Sequence, residues 1–296
     1  MIAFPRHGLR MSKAGDIVTV SMTDDPDNSS FKYYAHSRGS TLKDTLYVGA
    51  YLGSTTEETV DGETVTKLRS LSGKNTIMKN ISYLIEYGQA NGAPNGNGGS
   101  GYDVRGYHSQ LYLQAMYVLK YKNLNSQEVI GKGKSSSNLL PTGTTNNEGM
   151  NYGTNDTTKS IKLFGVEDLW GNTHEILGNI LTDNDGYIIT DTENFNSSGV
   201  GYRYKSTIQY GYYVGGGDQY YSKIVGTSEF GFFAMNEGLG SGSSSTYYCD
   251  SNRFWKWRTC GIMSTNPIEY NGIFGLGFYM VPNDKGSTGG GRLMYL

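Results

Sequence analysis

Cysteine and histidine are scarce in this sequence of 296 residues. It has two cysteines, Cys249 and Cys260, and four histidines. Two cysteines are too few for a scaffold held by several disulfides, and they lack the second pair that a structural zinc site needs. They could bridge neighbouring strands or lie apart as small core residues, and the sequence leaves both open. No two histidines have metal-ligand spacing, so each is interpreted as a structural residue with its hydrogen bonds satisfied.

Charge is also low, at 18% of residues with a formal net charge of -2. No run of lysine or arginine provides the basic stripe that duplex nucleic acid requires, so nucleic acid is not an expected partner. No apolar stretch reaches the length of a membrane span, so membrane insertion is not expected. The first residues lack the apolar core of a signal peptide, and the abrupt start suggests the C-terminal part of a longer protein.

Signatures of catalysis are missing as well. The sequence contains no Gly-x-Ser-x-Gly nucleophile motif and no Gly-x-x-x-x-Gly-Lys-Ser/Thr phosphate loop. A glycosidase would need two carboxylates that face one sugar, and the nearest cluster is Glu167, Asp168 and Glu175. We interpret this cluster as structural, with Glu175 holding loop amides. No catalytic residue, metal ligand or cofactor is therefore expected, although a structural calcium ion is left open.

Tyrosine and glycine dominate what is present. The chain has 25 tyrosines and 42 glycines, whereas only 6 prolines occur, and aromatic residues make up 13% of it. Such an aromatic content excludes a disordered chain. The composition fits a loop-rich fold with half-buried tyrosines. It also fits a recognition surface, in which tyrosine supplies contact area while Gly, Ser and Asn supply adaptable loops.

Local patterns predict two helices early in the chain and strands around them. Apolar residues at helical spacing predict helices at 75–87 and 107–122, and the second is apolar nearly all round, so it should pack on more than one side. β-Branched content predicts strands at 16–23 and 45–51. Asp61-Gly62 between short β-type runs predicts the tip of a hairpin.

The remainder of the chain predicts a loop-heavy β region. Residues 133–160 are polar, and we interpret them as a long surface loop because aromatic strands and glycine-rich loops continue beyond them to the end. The expected architecture is α+β, with two helices packed on short twisted antiparallel sheets with long loops. The whole chain, 1–296, is expected to form one domain.

Three stretches of the sequence, taken together, resemble a known family. They are 112–127 with 130–133, then 164–175 (FGVEDLWGNTHE), and 291–294 (GRLM) behind 272–276. They resemble the C-type lectin fold of the formylglycine-generating-enzyme type. Within it, the chain is most similar to domains on phage tail tips and to variable proteins of diversity-generating retroelements. The resemblance extends over most of the chain.

The resemblance implies that the Glu-Asp-Leu-Trp-Gly-Asn segment is scaffold and not a catalytic site. Trp170 would then be a buried ring whose N–H needs a partner, and Gly171 would allow a turn or a close approach of the backbone. Asn172 would bond neighbouring backbone groups in that turn.

The resemblance also implies non-covalent recognition. It indicates a receptor-binding domain at a virion tail tip, with a bacterial surface glycan or protein as ligand, and with other phage tail proteins and further copies of the chain in a homotrimer as partners. A bacterial adhesin of the same fold, at the cell surface, is one alternative, and a purely structural tail subunit is another. The enzyme branch uses reactive cysteines in its C-terminal part. Its pattern is not reproduced around Cys249 or Cys260, so an oxidative enzyme is the less favoured interpretation.

By resemblance, the ligand contacts come from the stretch 250–283. Two of the three tryptophans lie there, beside residue types that are enriched at binding hot spots. The alternative is a strand with Trp255 and Trp257 on one face and Phe254 on the other, one of these faces being buried. The residues expected to contact the ligand are Asn252, Arg253, Phe254, Trp255, Trp257, Ser264, Asn266, Glu269, Tyr270 and Asn271.

Overall fold

The computed structural model describes residues 1–92, 101–135, 138–210, 213–235, 241–243, 250–255, 260–263, 272–286 and 288–296. Their fold is mixed α+β, with few helices and mostly small antiparallel sheets. None of the helices in these ranges is long and apolar enough to cross a membrane.

The helices are α1 (Ile81–Gln89), α2 (Tyr107–Tyr121) and α3 (Ser126–Val129), with a 3-10 turn at Tyr34–His36. The strands are β1 (Ile2–Pro5), β2 (Gly8–Ala14), β3 (Ile17–Thr23), β4 (Ser37–Arg38), β5 (Thr41–Leu42), β6 (Thr45–Val48), β7 (Ser54–Val60), β8 (Glu63–Arg69), β9 (Tyr102–Val104), β10 (Lys162–Leu163), β11 (Val166–Glu167), β12 (Glu175–Thr182), β13 (Tyr187–Thr190), β14 (Tyr204–Gln209), β15 (Tyr213–Tyr220), β16 (Ser251–Trp255), β17 (Cys260–Met263), β18 (Leu276–Met280) and β19 (Leu293–Tyr295).

Two larger sheets organise these strands. One has seven strands in the order β14-β13-β12-β17-β18-β16-β15, and the other has four in the order β1-β6-β19-β9. In the larger sheet the neighbouring described strands run antiparallel, except that β16 and β18 run parallel. In the smaller sheet β6 pairs with both β1 and β19. Strands from the two ends of the sequence therefore share one sheet.

Helix α2 confirms the second predicted helix and lies in the core. It covers Tyr107–Tyr121, and Lys122 ends it in a left-handed conformation with φ of 52°. All side chains from Tyr107 to Ala115 are buried. The helix packs against β3, β12 and the 3-10 turn, as expected for a helix that is apolar on several sides. The buried hydrophobic residues around it form one cluster that reaches from the four-stranded to the seven-stranded sheet.

Helix α1 begins later than predicted. The expected range was 75–87, and the observed helix is Ile81–Gln89. The Asn80 side chain caps it by accepting a hydrogen bond from a backbone amide of the first turn at 3.3 Å. The residues before the cap are not helical, because Lys79 and Gly289 exchange two backbone hydrogen bonds of 3.0 Å. That pairing is long range, and the local sequence pattern does not indicate it.

Two of the predicted β features are confirmed. The expected strand at 16–23 is observed as β3, and the expected hairpin tip joins β7 to β8. Asp61 and Gly62 have φ values of 53° and 85°, and positive φ at both central residues defines a type I′ turn. The twist of this turn matches that of the strands that it connects.

The second predicted strand is shorter than expected. It was placed at 45–51, but β6 ends at Val48. Gly49 leaves the strand and donates its backbone N–H to the carbonyl oxygen of Leu293 at 2.7 Å. A Cβ at Gly49 would lie 3.0 Å from that same carbonyl oxygen, so the chain passes closely beside β19 here.

The polar region 133–160 is only partly a surface loop. Its described residues contain no helix or strand, in agreement with the prediction. However, Lys134, Thr142, Thr145 and Ser160 are all buried. Buried polar side chains need hydrogen-bond partners, so this region must be held against the body of the protein.

Candidate functional site

Glu175 is the centre of a buried ion cluster. Its Oε1 accepts a hydrogen bond of 2.6 Å from Arg105 Nε, and Arg292 Nε lies 3.3 Å from both carboxylate oxygens. All three side chains are almost completely inaccessible to solvent. Burial alone would raise the pKa of Glu175, but the two guanidinium groups hold it below its ordinary value. The expectation that Glu175 holds loop amides is therefore wrong, since its partners are arginines.

Arg292 joins the closing Gly-Arg-Leu segment to the central motif. Its Nη2 donates to the backbone carbonyls of Glu167 and Asp168, at 2.8 and 3.1 Å, and its Nη1 donates to that of Gly49 at 3.1 Å. A guanidinium group offers five N–H donors in a rigid plane, so one side chain can bind several oxygens at fixed angles. Two sequence segments that seemed to be separate motifs are thus one structural unit.

The loop amides are held by Glu167 instead. Its carboxylate accepts hydrogen bonds from the backbone N–H groups of Gly143 and Thr145, at 2.7 and 2.8 Å, and from the Thr145 hydroxyl at 2.6 Å. Charge-assisted hydrogen bonds of this length are the strong ones. They explain why the polar region 133–160 is fixed to the core.

Asp168 completes the acidic cluster, and it too is buried. Its Oδ2 accepts hydrogen bonds from Ser160 Oγ at 3.2 Å and from Asn172 Nδ2 at 2.9 Å. Burial, with the neighbouring Glu167 charge, raises the pKa of Asp168 to about 7. Each of the three carboxylates predicted as structural is therefore in contact with backbone or side-chain donors of the protein itself.

The rest of the central motif confirms its expected structural role. Trp170 is buried and donates its indole N–H to the carbonyl of Gly131 at 3.1 Å. Gly171 has a φ of 83°, and a Cβ there would lie 2.8 Å from the backbone nitrogen of Lys134. Asn172 was expected to bond neighbouring backbone groups in that turn, but its side-chain amide instead bonds both backbone groups of Leu140, 32 positions away.

The predicted ligand stretch is described in part. Asn252, Arg253, Phe254 and Trp255 lie on β16, between β15 and β18, and of these four the side chain of Phe254 is described. Its ring is fully buried, and it stacks on Tyr210 with a centroid distance of 3.8 Å and an interplanar angle of 3°. Phe254 is therefore a core residue, which corrects its assignment to the ligand contacts. The residues of the predicted set that fall outside the described ranges are Trp257, Ser264, Asn266, Glu269, Tyr270 and Asn271.

Trp255 and Met263, the described residues that precede 256–259 and 264–271, lie at opposite ends of the sheet. Trp255 pairs with Tyr213 at the end of β16 from which the chain leaves for 256–259. Strand β17 runs in the opposite direction, and its last residue, Met263, pairs with Leu276 at the other end. The five residues of β16 extend over about 13 Å, at about 3.3 Å per residue. Trp255 and Met263 are therefore separated by about the length of β16.

The segment just before β18 is held in place by buried hydrogen bonds. Ile273 donates its N–H to Ser126 Oγ at 3.0 Å, and its carbonyl accepts from the side chains of Gln110 and Gln114, both at 2.9 Å. Asp250 Oδ2 accepts from the backbone N–H of Phe274 at 3.0 Å. These bonds fix the segment just before β18 against α2 and α3.

The buried carboxyl of Asp250 has a strongly shifted acidity. Burial raises its pKa well above the ordinary value, and hydrogen bonds from Phe274 and Gln127 oppose this. A Cβ at Gly272 would overlap Ser126 Oγ and lie 2.7 Å from Asp250 Oδ2. Any residue with a Cβ at this position, which begins the described segment after 264–271, would require the buried side chains of Ser126 or Asp250 to shift.

Histidine shows a further departure from expectation. His36 is fully buried, and neither of its ring nitrogens has a hydrogen-bond partner in the described structure, contrary to the predicted satisfied role. Burial lowers the pKa of His36 to about 4 and that of His108 to about 4. His7, by contrast, lies 2.8 Å from the Tyr112 hydroxyl through Nδ1.

Two further observations concern metal binding and sequence similarity. Within the described ranges, no three His, Cys, Asp or Glu side chains lie close enough together to hold a metal ion. Comparison of the sequence with protein-family models and with curated proteins gives no match.

Proposed function

We propose that this chain is a non-covalent receptor-binding domain of the formylglycine-generating-enzyme type of C-type lectin fold. Its ligand would be a glycan or protein of a bacterial surface. Its place would be a phage tail tip or a retroelement-diversified variable protein, and a bacterial surface adhesin of the same fold is the alternative. The observation that carries the proposal is that Glu167, Asp168 and Glu175 of the central motif are joined to Arg292 of the closing segment in one buried network.

The buried network argues against catalysis by the acidic cluster. Glu167, Asp168 and Glu175 are each at most 2% exposed, and each is bonded to donors of the scaffold. A glycosidase would instead present two carboxylates on either side of a sugar. The motif therefore contributes rigidity, which is what a binding surface built on loops requires from its scaffold.

The stretch 250–283 offers the complementary features. Within it, β18 pairs with β16 in parallel and with β17 antiparallel. Ile273, just before β18, is held by buried hydrogen bonds. The polar and aromatic residue types of the stretch are those of recognition surfaces. Affinity would come from aromatic anchors, and avidity from several copies, such as a trimer among other tail proteins. Neither a cofactor nor contact with nucleic acid or a membrane is required.

The test is binding of the fluorescently labelled domain to a panel of bacterial strains. A variant with Trp255→Ala, Trp257→Ala and Tyr270→Ala should keep its fold and lose binding to the strains that the parent domain recognises. Tyr83→Ala is the matched control, because Tyr83 is a 46% exposed aromatic residue on α1, outside the stretch. Repeating the assay with a chelator reports any dependence on calcium.

The outcomes separate the alternatives. Selective binding that only the triple variant loses supports the proposal, whereas equal binding by all three proteins places the site elsewhere. No binding to any strain would favour a structural tail subunit. Rapid modification of Cys249 or Cys260 by a thiol reagent at neutral pH would favour the enzyme, because a reactive thiol needs a lowered pKa.

A further inference from the structure

The described surface contains a groove of about 660 Å³, and its described lining includes none of the buried ion cluster of Glu175, Arg105 and Arg292. The end of the stretch 112–127 contributes Val118, Leu119, Lys122 and Leu124 to it. It lies between the β2–β3 hairpin, the C-terminal end of α2 and the segment 222–232. Ligand sites for small molecules have volumes of this order and are lined mainly by apolar side chains with a few charged groups. None of the described residues that line it belongs to 250–283, so its role can be tested separately from receptor binding.

The walls of the groove are apolar. Val18 and Val20 come from the hairpin, Val118 and Leu119 come from α2, and Phe232 comes from the segment 222–232. Leu119 is 41% exposed, so its apolar side chain is accessible to a ligand in the groove. Each methylene group of a chain placed here would be removed from water, which would contribute about 0.8 kcal/mol of favourable binding free energy.

The rim of the groove is positively charged, although the chain as a whole carries a formal net charge of -2. Three ammonium groups surround it, from Lys13, Lys122 and Lys223, against one carboxylate, Asp16. Asp16 lies 3.6 Å from Lys223 and is 80% exposed, so it offsets only part of this charge. The partial negative charge at the end of α2, about half a unit, leaves the local balance positive.

Two of these lysines are positioned to meet a ligand. Lys13 Nζ is held by the carbonyl of Ile224 at 3.0 Å and by the sulfur of Met235 at 2.7 Å. An ammonium group has three N–H donors, so the third remains for an additional acceptor. Lys122 is exposed at the left-handed end of α2, and its ammonium group makes no hydrogen bond or ion pair with the described residues.

We propose that this groove binds an amphipathic anion, with an acyl-type chain along the apolar walls and a carboxylate or similar head group at the lysine rim. Charge complementarity selects an anion over a cation of the same shape, and the apolar walls select a chain over a small polar anion.

The test is calorimetric titration of the whole chain with octanoate, decanoate and dodecanoate below their micelle concentrations. One molecule should bind per chain, and affinity should rise about fourfold for each added methylene group. Dodecyltrimethylammonium, which has the same chain with the opposite charge, should bind at least tenfold more weakly than dodecanoate. Equal affinity for the two, or no saturable binding of dodecanoate, would overturn the proposal.

Matched variants place the site. Lys122→Glu should weaken dodecanoate binding about fivefold or more, because attraction becomes repulsion. Lys120→Glu makes the same change of charge in the last turn of α2 but does not line the groove, so it should change the affinity less than twofold. Leu119→Glu should abolish binding. Equal effects of the two lysine variants would contradict the assignment, as would a self-associating protein whose dimer is lost on Leu119→Glu.

Discussion

Arg292 and Glu175 are 117 positions apart in the sequence, yet Arg292 Nε lies 3.3 Å from both oxygens of the Glu175 carboxylate in the core. Arg105 shares the same carboxylate at 2.6 Å. Two guanidinium groups on one carboxylate leave no position for a substrate at this residue. The pair therefore accounts for two family-like segments at once, the central motif and the closing Gly-Arg-Leu, as parts of a scaffold.

The first prediction concerns this pair. Arg292→Met should lower the free energy of unfolding by about 3–5 kcal/mol, because it removes one member of a buried ion cluster and five hydrogen bonds, to three carbonyl groups and both Glu175 oxygens. Chemical denaturation followed by circular dichroism measures this change. Arg6→Met is the control, since its partner Asp44 is 90% exposed and such surface pairs contribute at most about 1 kcal/mol. A similar small loss in both variants would refute the structural role of Arg292.

The second prediction concerns the polar region 133–160. Glu167→Gln should loosen it without unfolding the domain, because an amide places an NH2 group against donors that now face a carboxylate. The loss should be about 1–3 kcal/mol and local. Hydrogen exchange should become faster at the backbone amides of Gly143 and Thr145. Glu148→Gln, an exposed change in the same region, should leave both amides protected; equal exchange in the two variants would count against the assignment.

The third prediction is a dependence of stability on pH. The pKa of His36 is lowered to about 4 by burial, whereas the unfolded chain takes up this proton near pH 6.5. Above pH 6.5 the neutral His36 does not lower the free energy of unfolding. As the pH falls from 6.5 toward 4, the unfolded chain binds a proton that the folded protein does not, so the free energy of unfolding decreases. Relative to His36→Leu, the parent protein should lose on the order of 2 kcal/mol between pH 7.5 and pH 5.

Buried acids change stability in the opposite direction, which is why the comparison with His36→Leu is needed. Burial raises the pKa of Asp103 to about 7 and that of Asp168 to about 7. A carboxyl group whose pKa is higher in the folded protein than in the unfolded chain lowers the free energy of unfolding as the pH rises from about 4 to 7. Both acids are present in parent and variant, so the difference between the two denaturation curves isolates His36. A constant difference across this pH range would contradict the prediction.

The fourth prediction concerns the frame of the ligand stretch. Gly272→Ala should lower the melting temperature, because its methyl group would overlap Ser126 Oγ and Asp250, and overpacking of this kind costs about 1–3 kcal/mol. Gly149→Ala is the matched control, since a Cβ there meets no atom within 4 Å. Thermal unfolding of both variants tests the difference. Equal melting temperatures would show that the segment before β18 can move aside at no cost.

Elements with strong local signals could be predicted from the sequence. Helix α2 and the β7–β8 hairpin have such signals, in apolar periodicity and in the Asp61-Gly62 turn. The start of α1 could not be predicted, because Lys79 is held in an extended pairing with Gly289 by a contact formed only in the folded chain. The very short strands β4, β5, β10 and β11 leave no recognisable pattern of two-residue period.

The candidate site was harder to predict than the fold. The burial of Trp170 and the turn at Gly171 follow from residue type, but the partners of Glu175 depend on which distant arginines reach it. The location of Trp255 and Met263 at opposite ends of the sheet depends on strand order, because β18 lies between β16 and β17. Alternation along a strand indicates which residues share a face, and it carries no information about strand order or direction.

The most direct test of the receptor-binding account is an equilibrium titration on the strain that the domain binds most tightly. It compares the double variant Trp255→Ala/Trp257→Ala with Tyr270→Ala/Asn271→Ala, which change predicted contact residues that precede and follow β17 in the sequence. The account predicts that at least one of them raises the dissociation constant tenfold or more, while Tyr83→Ala leaves it unchanged. If both double variants bind as tightly as the parent domain, the stretch 250–283 is not the binding surface and the central claim fails.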